Sequence, residues 1–393
     1  MSTRDSQEAT DAEAGTSPTE TARRAWRALW SSLAPIGRDP ASGGYQRLSW
    51  SPADLAARDW FVTQARARGL DVETDRNGNL WAWWGDPASG GAVVTGSHLD
   101  SVPHGGAFDG ALGVASALLA VDALRARGGV PRRPIGIVVF TEEEGSRFGV
   151  ACLGSRLLTG AVDPEQARGL VDADGTTLAQ ALAGAGLDPD AIGPEPHRLA
   201  RIGSYVELHI EQGRQLARPV GVASGIWPHG RWRLTVTGEA DHAGTAPMVD
   251  RRDPMLTCAY TVLAANKEAR LAGAHATVGR LVVQPNATNA VPARVTAWLD
   301  ARAADQSTLD ALVAAIARRA AERAERDGTS VELVAESVSP AVVFDPPLRD
   351  RLVAALGPDT PIVDTAAGHD AGVLATAGVP AAMLFVRNPT GVS

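Results

Sequence analysis

Cysteine is scarce in this chain of 393 residues, which contains only Cys152 and Cys258, and neither lies in a Cys-x-x-Cys pair. A disulfide framework is therefore not expected, and we expect a reducing, cytoplasmic compartment. No apolar run approaches the length of a membrane span, and the polar N-terminus lacks the apolar core of a secretory signal, so no membrane association is expected. The net charge is −8 without a basic run, which argues against nucleic acid or an anionic membrane as a partner.

What is present is the composition of a globular protein, with 45% hydrophobic and 21% charged residues. A length of 393 residues exceeds what one hydrophobic core usually supports, so we expect two domains. The patterns along the chain predict a disordered tail (residues 1–20), a first part of one domain (21–217), an inserted domain (218–337) and a second part of the first domain (338–393).

Two short β-branched runs predict the centre of the first domain. GAVVTGSH and IGIVVFTEEEG each end at polar residues, and the helical run ALGVASALLAVDALRARGG lies between them. A strand, a helix and a strand at this spacing form a βαβ unit, which predicts an α/β fold with a mostly parallel sheet. Sites in such sheets form at the carboxyl ends of the strands, where His98 and the run from Glu142 to Glu144 fall.

The inserted segment has a different pattern. Its runs read strand, helix, strand, strand, helix, strand, from RWRLTVTGE to SVELVAES. This order is typical of a ferredoxin-like α+β domain, so we expect the insertion to fold as a unit of its own.

Polar residues with metal-ligating side chains occur at the predicted strand and helix ends of the first domain. They are His98, Asp100, Asp109, Glu142, Glu143, Glu144, His209 and His369. Most have an ordinary alternative: a solvated acidic turn for the glutamates, a helix N-cap for Asp109, a structural role for His98, a surface position for His209, and a helix cap or turn for His369. Together, three imidazoles and two carboxylates without a thiolate suit a pair of Zn²⁺ or Mn²⁺ ions that share one carboxylate. Asp100 is placed to hold the second nitrogen of His98.

Three further polar residues belong to the inserted segment. His242 lies in GEADHAGTAPMVDRRD, and Asn289 and Arg302 flank the strand NAVPARVTAWLDAR. An arginine in such a place is either a surface salt-bridge residue or a group that holds a substrate carboxylate with two hydrogen bonds.

Seven blocks of the sequence carry further information: SHLDSVPHGGAFDGALGV, FTEEEGSRFG, ELHIEQG, DHAGTAPMVDRRD, PNATNAVPARVTAWLDAR, AGHDAG and FVRNPTGVS. In this order they resemble the carbamoylase branch of the dinuclear metallo-amidohydrolases and aminopeptidases. That branch contains N-carbamoyl-L-amino-acid hydrolases, allantoate amidohydrolases and metal-dependent β-ureidopropionases. The resemblance extends from about residue 22 to the end of the chain.

The resemblance implies two divalent ions, Zn²⁺ or Mn²⁺, with Co²⁺ or Ni²⁺ as alternatives. Asp109 would bridge them, and the ligands would be His98, Asp109 and His209 for one ion and Asp109, Glu144 and His369 for the other. Glu143 would be the general base, which takes a proton from the attacking water and passes it to the leaving nitrogen.

The resemblance also implies how a substrate is held. Gln212, Asn289 and Arg302 would bind it, Arg302 through its carboxylate, and His242 would steady the oxyanion, usually in the active site of the partner subunit. The inserted domain would then be a lid through which the protein forms a homodimer. Members of the family usually continue beyond the last block, so we expect the C-terminal end to be truncated relative to them.

The expected reaction is hydrolysis of a carbamoyl or ureido C–N bond in a small carboxylate substrate, with release of ammonia and CO₂. Allantoate and N-carbamoyl-L-amino acids are slightly favoured over N-carbamoyl-β-alanine. The alternatives are a metallo-aminopeptidase or aminoacylase of the same superfamily and a non-catalytic relative. The last of these predicts a missing ligand or base, whereas all five ligands and Glu143 are present.

Overall fold

A computed structural model describes residues 18–393 of the chain. Residues 18–214 contain α1 (Pro18–Leu33), α2 (Pro52–Ala67), β1 (Asp71–Thr74), β2 (Leu80–Trp84), β3 (Ala92–His98), α3 (Ala111–Ala126), β4 (Ile135–Phe140), α4 (Leu153–Thr159), α5 (Pro164–Arg168), α6 (Leu178–Gly184), α7 (Pro196–Leu199) and β5 (Ile202–Ile210). Residues 215–368 contain β6 (Val220–Ile226), β7 (His229–Thr237), β8 (Asp241–His242), α8 (Pro254–Ala272), β9 (His275–Gln284), β10 (Ala290–Val291), β11 (Arg294–Arg302), α9 (Gln306–Asp327), β12 (Ser330–Ser339), β13 (Val342–Val343), α10 (Pro346–Leu356) and β14 (Ile362–Thr365). Residues 369–393 contain α11 (Asp370–Thr376) and β15 (Ala381–Val386).

The described chain divides into two compact units. Residues 18–214 with 369–393 form the first unit, and residues 215–368 form the second. Residues 338–368 belong to the second unit, in which β13 and β14 both pair with β6. The domain boundaries given from the sequence stay predictions. Of the tail predicted over 1–20, residues 1–17 lie outside the described residues, and residues 18–20 begin α1.

The sheet of the first unit has the strand order β1-β2-β4-β3-β5-β15. Strand β3 runs parallel to β4 and β5, and β15 runs parallel to β5. Within this sheet only β2 runs in the opposite direction, since it is antiparallel to both of its neighbours, β1 and β4. The predicted α/β fold class with a mostly parallel sheet is therefore confirmed, and β3, α3 and β4 form the expected βαβ unit.

The hairpin turn is fixed by a buried carboxylate. Asp75 accepts hydrogen bonds from Asn77 N (3.0 Å), Asn79 N (2.9 Å), Asn79 Nδ2 (2.9 Å) and Trp81 Nε1 (2.9 Å). Burial raises the pKa of Asp75 to about 6, although these hydrogen bonds oppose the shift. The predicted Asn-Gly turn is present; Gly78 has φ +86, and Asp75 accepts from the amides on both sides of it.

The core of the first unit packs α1, α2 and α3 against the sheet. Phe61, Leu118 and Ile137 are fully buried there, and each such side chain contributes roughly 1.5–3 kcal/mol on folding. Gly96 lies inside β3 with φ +151, and a Cβ there would lie 1.9 Å from Val138 O. Close packing of β3 on β4 thus requires glycine and places the ends of these strands side by side.

The second unit contains a four-stranded antiparallel sheet of order β12-β7-β11-β9. Along the chain its elements are β7, α8, β9, β11, α9 and β12, which is the predicted β-α-β-β-α-β order. Cys258 and Ala265 of α8 and Leu312 of α9 are buried in its core. No helix within residues 18–393 is long and apolar enough to cross a membrane.

Candidate metal centre

His98 is the last residue of β3, and its side chain is fully buried. Its Nδ1 lies 3.0 Å from the backbone oxygen of Asp100. Because a carbonyl oxygen only accepts hydrogen bonds, the neutral ring carries its proton on Nδ1 and keeps a lone pair on Nε2. Nε2 lies 3.4 Å from Asp109 Oδ1 and 3.6 Å from Glu143 Oε2. His98 therefore presents a metal-ligating nitrogen towards two carboxylates.

His209, near the end of β5, has the same arrangement. Its Nδ1 lies 3.0 Å from the backbone oxygen of Ile210, and its Nε2 lies 3.1 Å from Asp109 Oδ1. The neighbouring parallel strands β3 and β5 thus direct two imidazole lone pairs at one carboxylate oxygen.

Asp109 is buried between these two imidazoles. Burial alone would raise the pKa of Asp109, but His209 and His98, when they are protonated, reverse this effect and hold the pKa below its usual value. The N-cap position of α3 belongs to Gly110, so the alternative of an N-cap role for Asp109 does not apply. Gly110 has φ +61, and a Cβ there would lie 2.5 Å from His98 Nε2. Glycine is needed at this position to leave room for the His98 ring.

The donor atoms of this cluster fit a divalent metal ion. The ligand atoms of His98, Asp109 and His209 lie within 4.8 Å of one another. Within residues 18–393, the buried atoms His98 Nε2, His209 Nε2 and Glu144 Oε1 have no hydrogen-bond partner. A buried polar atom without a partner costs about 1–3 kcal/mol. Imidazole nitrogens and carboxylate oxygens are ligands of Zn²⁺ and Mn²⁺, so a metal ion would satisfy these atoms.

The first glutamate after β4 supports the loop rather than facing solvent. Glu142 is fully buried and has φ +52, in the left-handed region. Its Oε1 accepts hydrogen bonds from Arg147 N (3.0 Å) and Phe148 N (2.7 Å). Burial and the charge of Asp100 raise the pKa of Glu142 to about 7. The alternative of a solvated acidic turn therefore does not apply to this residue.

The Asp100 carboxylate holds the next two residues of the loop. Glu143 N donates to Asp100 Oδ1 (3.3 Å), and Glu144 N donates to Asp100 Oδ2 (3.1 Å). The same carboxylate lies 3.5 Å from His98 Nδ1, farther than the Asp100 backbone oxygen. Asp100 thus fixes His98 mainly through its main chain, whereas we predicted this contact for its side chain.

Glu143 lies between two imidazoles. Its Oε2 is 3.6 Å from His98 Nε2, and its Oε1 is 3.6 Å from His369 Nδ1. Burial raises the pKa of Glu143, with the His98 imidazole opposing and Glu144 reinforcing the shift. A carboxyl group with a raised pKa is suited to take up a proton near neutral pH.

The residues predicted for the second ion are distributed over different groups. Among residues 18–393, three sets of ligand atoms lie within 4.8 Å of one another: His98, Asp109 and His209; Glu207, His209 and His369; and His98, Glu143 and Glu144. The set Asp109, Glu144 and His369 is not among these groups, and its assignment to one ion stays a prediction.

Gln212 contacts the predicted bridging carboxylate. Its Nε2 donates to Asp109 Oδ2 (2.9 Å) and to Ser393 Oγ (2.7 Å), and Ser393 Oγ also contacts Asp109 Oδ2. Asp109 thus directs one oxygen at the imidazoles and the other at neutral hydrogen-bond donors.

The sequence patterns gave no role to Glu207, which connects several parts of the site. Its Oε1 accepts from Ser97 Oγ (2.8 Å), and its Oε2 accepts from Ala371 N (3.1 Å). Glu207 thereby links the ends of β3 and α11, next to His98 and His369. The available signal was the alternation of β5, which places Glu207 on the same face as His209.

The other predicted site residues lie in the second unit. His242 and Asn289 are both exposed; His242 pairs with Ala290 between β8 and β10, and Asn289 directly precedes β10, where its backbone oxygen accepts from Ala243 N (2.9 Å). Gly244 N donates to His242 Nδ1 (3.1 Å), so the neutral ring carries its proton on Nε2. Arg302 ends β11 and is hydrogen-bonded to Asp300.

Imidazoles and carboxylates at the strand ends of a parallel sheet are the arrangement found in metal-dependent α/β hydrolases. The chain belongs to peptidase family M20/M25/M40, whose model matches residues 94–393.

Individual relatives agree with this assignment. The chain is 38% identical over 380 residues to an N-carbamoyl-L-amino acid amidohydrolase of Geobacillus stearothermophilus, covering 94% of this chain and 91% of the relative. It is 32% identical over 381 residues to an allantoate amidohydrolase of Escherichia coli, covering 92% and 89%. The crystal structure of a hydantoinase/carbamoylase family amidase from Burkholderia vietnamiensis matches with a TM-score of 0.84 and 34% identity, covering 95% and 91%. The predicted family and the prediction of a hydrolase are confirmed.

Proposed function

We propose that this protein hydrolyses a carbamoyl or ureido C–N bond in a small carboxylate substrate, either an N-carbamoyl-L-amino acid or allantoate. Water and the substrate R–NH–CO–NH₂ give R–NH₂, CO₂ and NH₃. The observation that carries the proposal is the pair of imidazoles, His98 and His209, whose Nε2 lone pairs face Asp109 in a buried pocket. The similarity to N-carbamoyl-L-amino acid and allantoate amidohydrolases supports this substrate class.

We propose Zn²⁺ or Mn²⁺ as the two ions, with the ligand sets given above. When bound, such ions polarise a substrate carbonyl and lower the pKa of a water molecule. The chain itself orients the ligands: main-chain oxygens fix the tautomers of His98 and His209, and Asp100 holds the amides of Glu143 and Glu144. These constraints set the ligand geometry before any ion binds.

Glu143 moves the proton in this proposal. Its carboxylate removes a proton from the attacking water and later delivers it to the nitrogen that leaves as the C–N bond breaks. Burial favours the protonated form of Glu143, so the group is a stronger base than an exposed glutamate.

In this proposal, four side chains recognise the substrate. His242 donates through Nε2–H to the oxyanion, which agrees with the hydrogen bond that Gly244 N makes to Nδ1. Gln212 and Asn289 supply amide groups, and Arg302 binds the carboxylate.

The proposed homodimer forms through the second unit. On α8, Leu256, Tyr260, Leu263 and Leu271 share one face, and Leu263 and Leu271 are more than 70% exposed. Strand β9 is an edge of the four-stranded sheet and exposes Leu281. An exposed apolar helix face beside an open strand edge suits pairing with a second copy.

Ammonia release tests the catalytic proposal. The purified protein, loaded with Mn²⁺ or Zn²⁺, is assayed on allantoate, several N-carbamoyl-L-amino acids, N-carbamoyl-β-alanine and a dipeptide. We expect metal-dependent ammonia release from one of the ureido substrates and no cleavage of the dipeptide. Cleavage of the dipeptide without ammonia release would assign the protein to the peptidase activity instead.

Light scattering after size-exclusion chromatography tests the dimer. Leu263→Asp should convert the dimer to a monomer, because it places a charge in the apolar face. Leu124→Asp is the matched control, since Leu124 is an exposed leucine of a helix in the first unit. A monomeric wild-type protein would rule the dimer out.

The cytoplasmic location remains part of the proposal. It rests on the two cysteines, both of which are buried and unpaired with each other.

A further inference from the structure

The guanidinium group of Arg302 is already engaged by its own chain. Its Nε donates to Asp300 Oδ1 (2.8 Å), and its Nη2 donates to Asp300 Oδ2 (3.2 Å). Its Nη1 donates to the backbone oxygen of Ala366 (2.7 Å). Arg302 is thus held on two sides, by a carboxylate and by a main-chain carbonyl.

Two N–H groups of Arg302 remain available to a ligand. A guanidinium group has five N–H bonds, and three of them are used by Asp300 and Ala366. The two that remain are one on Nη1 and one on Nη2. A carboxylate that accepts hydrogen bonds from both terminal nitrogens makes a bidentate contact.

The position of Asp300 is fixed by the sheet. Asp300 and Arg302 are two residues apart on β11, so their side chains lie on the same face. Strand β11 lies between β7 and β9, and Asp300 is paired with Arg231 on one side and Thr277 on the other. An interior strand cannot shift without breaking both ladders, so Asp300 is a rigid support.

The pair is reachable by a ligand. The side chains of Arg302 and Asp300 are 31% and 34% exposed, so neither is sealed in a core. A half-exposed ion pair in this setting contributes little to stability, about 0–1 kcal/mol. The ion pair therefore matters more for the orientation of Arg302 than for the stability of the fold.

We propose that Asp300 is a positioning residue for the carboxylate-binding function of Arg302. It occupies the Nε edge of the guanidinium, which prevents a substrate carboxylate from binding there. The remaining N–H groups of the terminal nitrogens are then the donors left for a substrate carboxylate. This inference rests on the proposed function, in which Arg302 binds the substrate carboxylate.

The test compares two ligands that differ only in charge at the recognised group. The fastest ureido substrate of the panel above is paired with its carboxamide analogue, and KM and kcat are measured for both. Asp300→Ala should raise KM for the carboxylate substrate about tenfold, because a mobile guanidinium loses its fixed fork. The KM for the carboxamide should stay within about twofold, since that ligand gains little from an oriented cation. Asp300→Asn keeps one acceptor and should fall between wild type and Asp300→Ala.

Glu336→Ala is the matched control. Glu336 pairs with Arg233 in the same sheet at 2.9 Å, with similar exposure, and takes no part in the contacts of Arg302. It should leave both KM values unchanged. Circular dichroism and thermal unfolding of each variant separate loss of orientation from loss of folding.

Two outcomes would overturn the inference in different ways. If Asp300→Ala matches Glu336→Ala or lowers KM for the carboxylate, Asp300 does not position Arg302, or it competes with the substrate. If wild type does not distinguish carboxylate from carboxamide and Arg302→Met has no effect, the role of Arg302 in the proposed function fails, and the inference fails with it.

Discussion

The two units handle polar side chains in opposite ways. In the first unit, His98 and His209 are 0% and 1% exposed, and main-chain oxygens and carboxylates fix their orientation. In the second unit, His242 and Asn289 are exposed, and the His242 ring is held by one hydrogen bond, from Gly244 N to Nδ1. The Nδ1 atoms of His98 and His209 already have main-chain partners, so the orientation of these imidazoles is set before a ligand arrives. Exposed groups keep rotational freedom, which suits residues that recognise a substrate.

We expect the largest effect on catalysis from a substitution of Glu143 in the first unit. Glu143→Gln should lower kcat by about 10²–10⁴-fold, because the amide cannot accept the proton from water. Metal content should stay the same, since Glu143 is not a proposed ligand. The measurements are ammonia release and metal analysis by mass spectrometry.

The matched control for this change is Glu165→Gln. Glu165 lies on α5, and its side chain is 84% exposed. It should leave kcat unchanged. Retained activity in Glu143→Gln would contradict the assignment of the base.

The second prediction tests whether the space between Gly110 and the His98 ring is as small as the distances indicate. Gly110→Ala would place a methyl group 2.5 Å from His98 Nε2 and strain a residue with φ +61. We expect loss of most of the bound metal and of activity, together with destabilisation by about 1 kcal/mol or more. Metal analysis and urea unfolding measure the two effects.

Gly128→Ala separates strain from crowding. Gly128 has φ +69, but a Cβ there would meet nothing within 4 Å. It should lose stability without losing metal. Equal metal loss in both variants would mean that contact with His98 is not the cause.

A third prediction concerns the buried hairpin of the first unit. Asp75→Ala removes the acceptor of four hydrogen bonds and leaves buried donors on Asn79 and Trp81 unpaired. We expect the free energy of unfolding to fall by about 3 kcal/mol or more, measured by urea titration. Asp86→Ala is the control, because the carboxylate of exposed Asp86 accepts one hydrogen bond, from Ala88 N. A loss no larger than that of Asp86→Ala would show that burial of Asp75 does not raise its contribution.

The strand ends of the first unit were predictable because periodicity reports directly on β3 and β4. The runs that end at His98 and Glu142 identify both strands and the edge at which their side chains meet. Tertiary contacts were harder to predict. Glu207 binds the amide of Ala371, which is 164 residues away, and the hold on His98 comes from a main-chain oxygen that any residue at position 100 would supply. A residue type in a sequence cannot report contacts of these kinds.

The left-handed conformation of Glu142 was unpredictable for a related reason. A glutamate rarely adopts φ near +52, and it does so here because its carboxylate accepts from the amides of Arg147 and Phe148. These side-chain hydrogen bonds within the loop offset the usual preference of a glutamate for negative φ.

The smallest expected effect concerns Asp305, a surface carboxylate of the second unit, which contrasts with the buried Asp75 of the first unit. Asp305 caps α9, where it accepts from Ser307 Oγ, Thr308 N and Thr308 Oγ1, and these hydrogen bonds lower its pKa to about 2. Because the folded pKa lies below the unfolded value of about 3.9, the ionised cap stabilises the fold above pH ~4, and this contribution is lost as the pH falls towards 2. The urea midpoint of Asp305→Ala should therefore lie below that of wild type at pH 5, and the difference should shrink at pH 3.

The opposite sign is expected for Asp75, which sharpens the contrast between the units. Its folded pKa of about 6 lies above the unfolded value, so its share of stability is greatest at low pH and falls as the pH rises from about 4 to 6.

Asp310→Ala on the exposed face of α9 is the control for Asp305, and its effect on stability should not change between pH 5 and pH 3. If the Asp305→Ala difference grew as the pH fell, the cap would act through its neutral form, and ionisation of the exposed carboxylate would not be what stabilises α9.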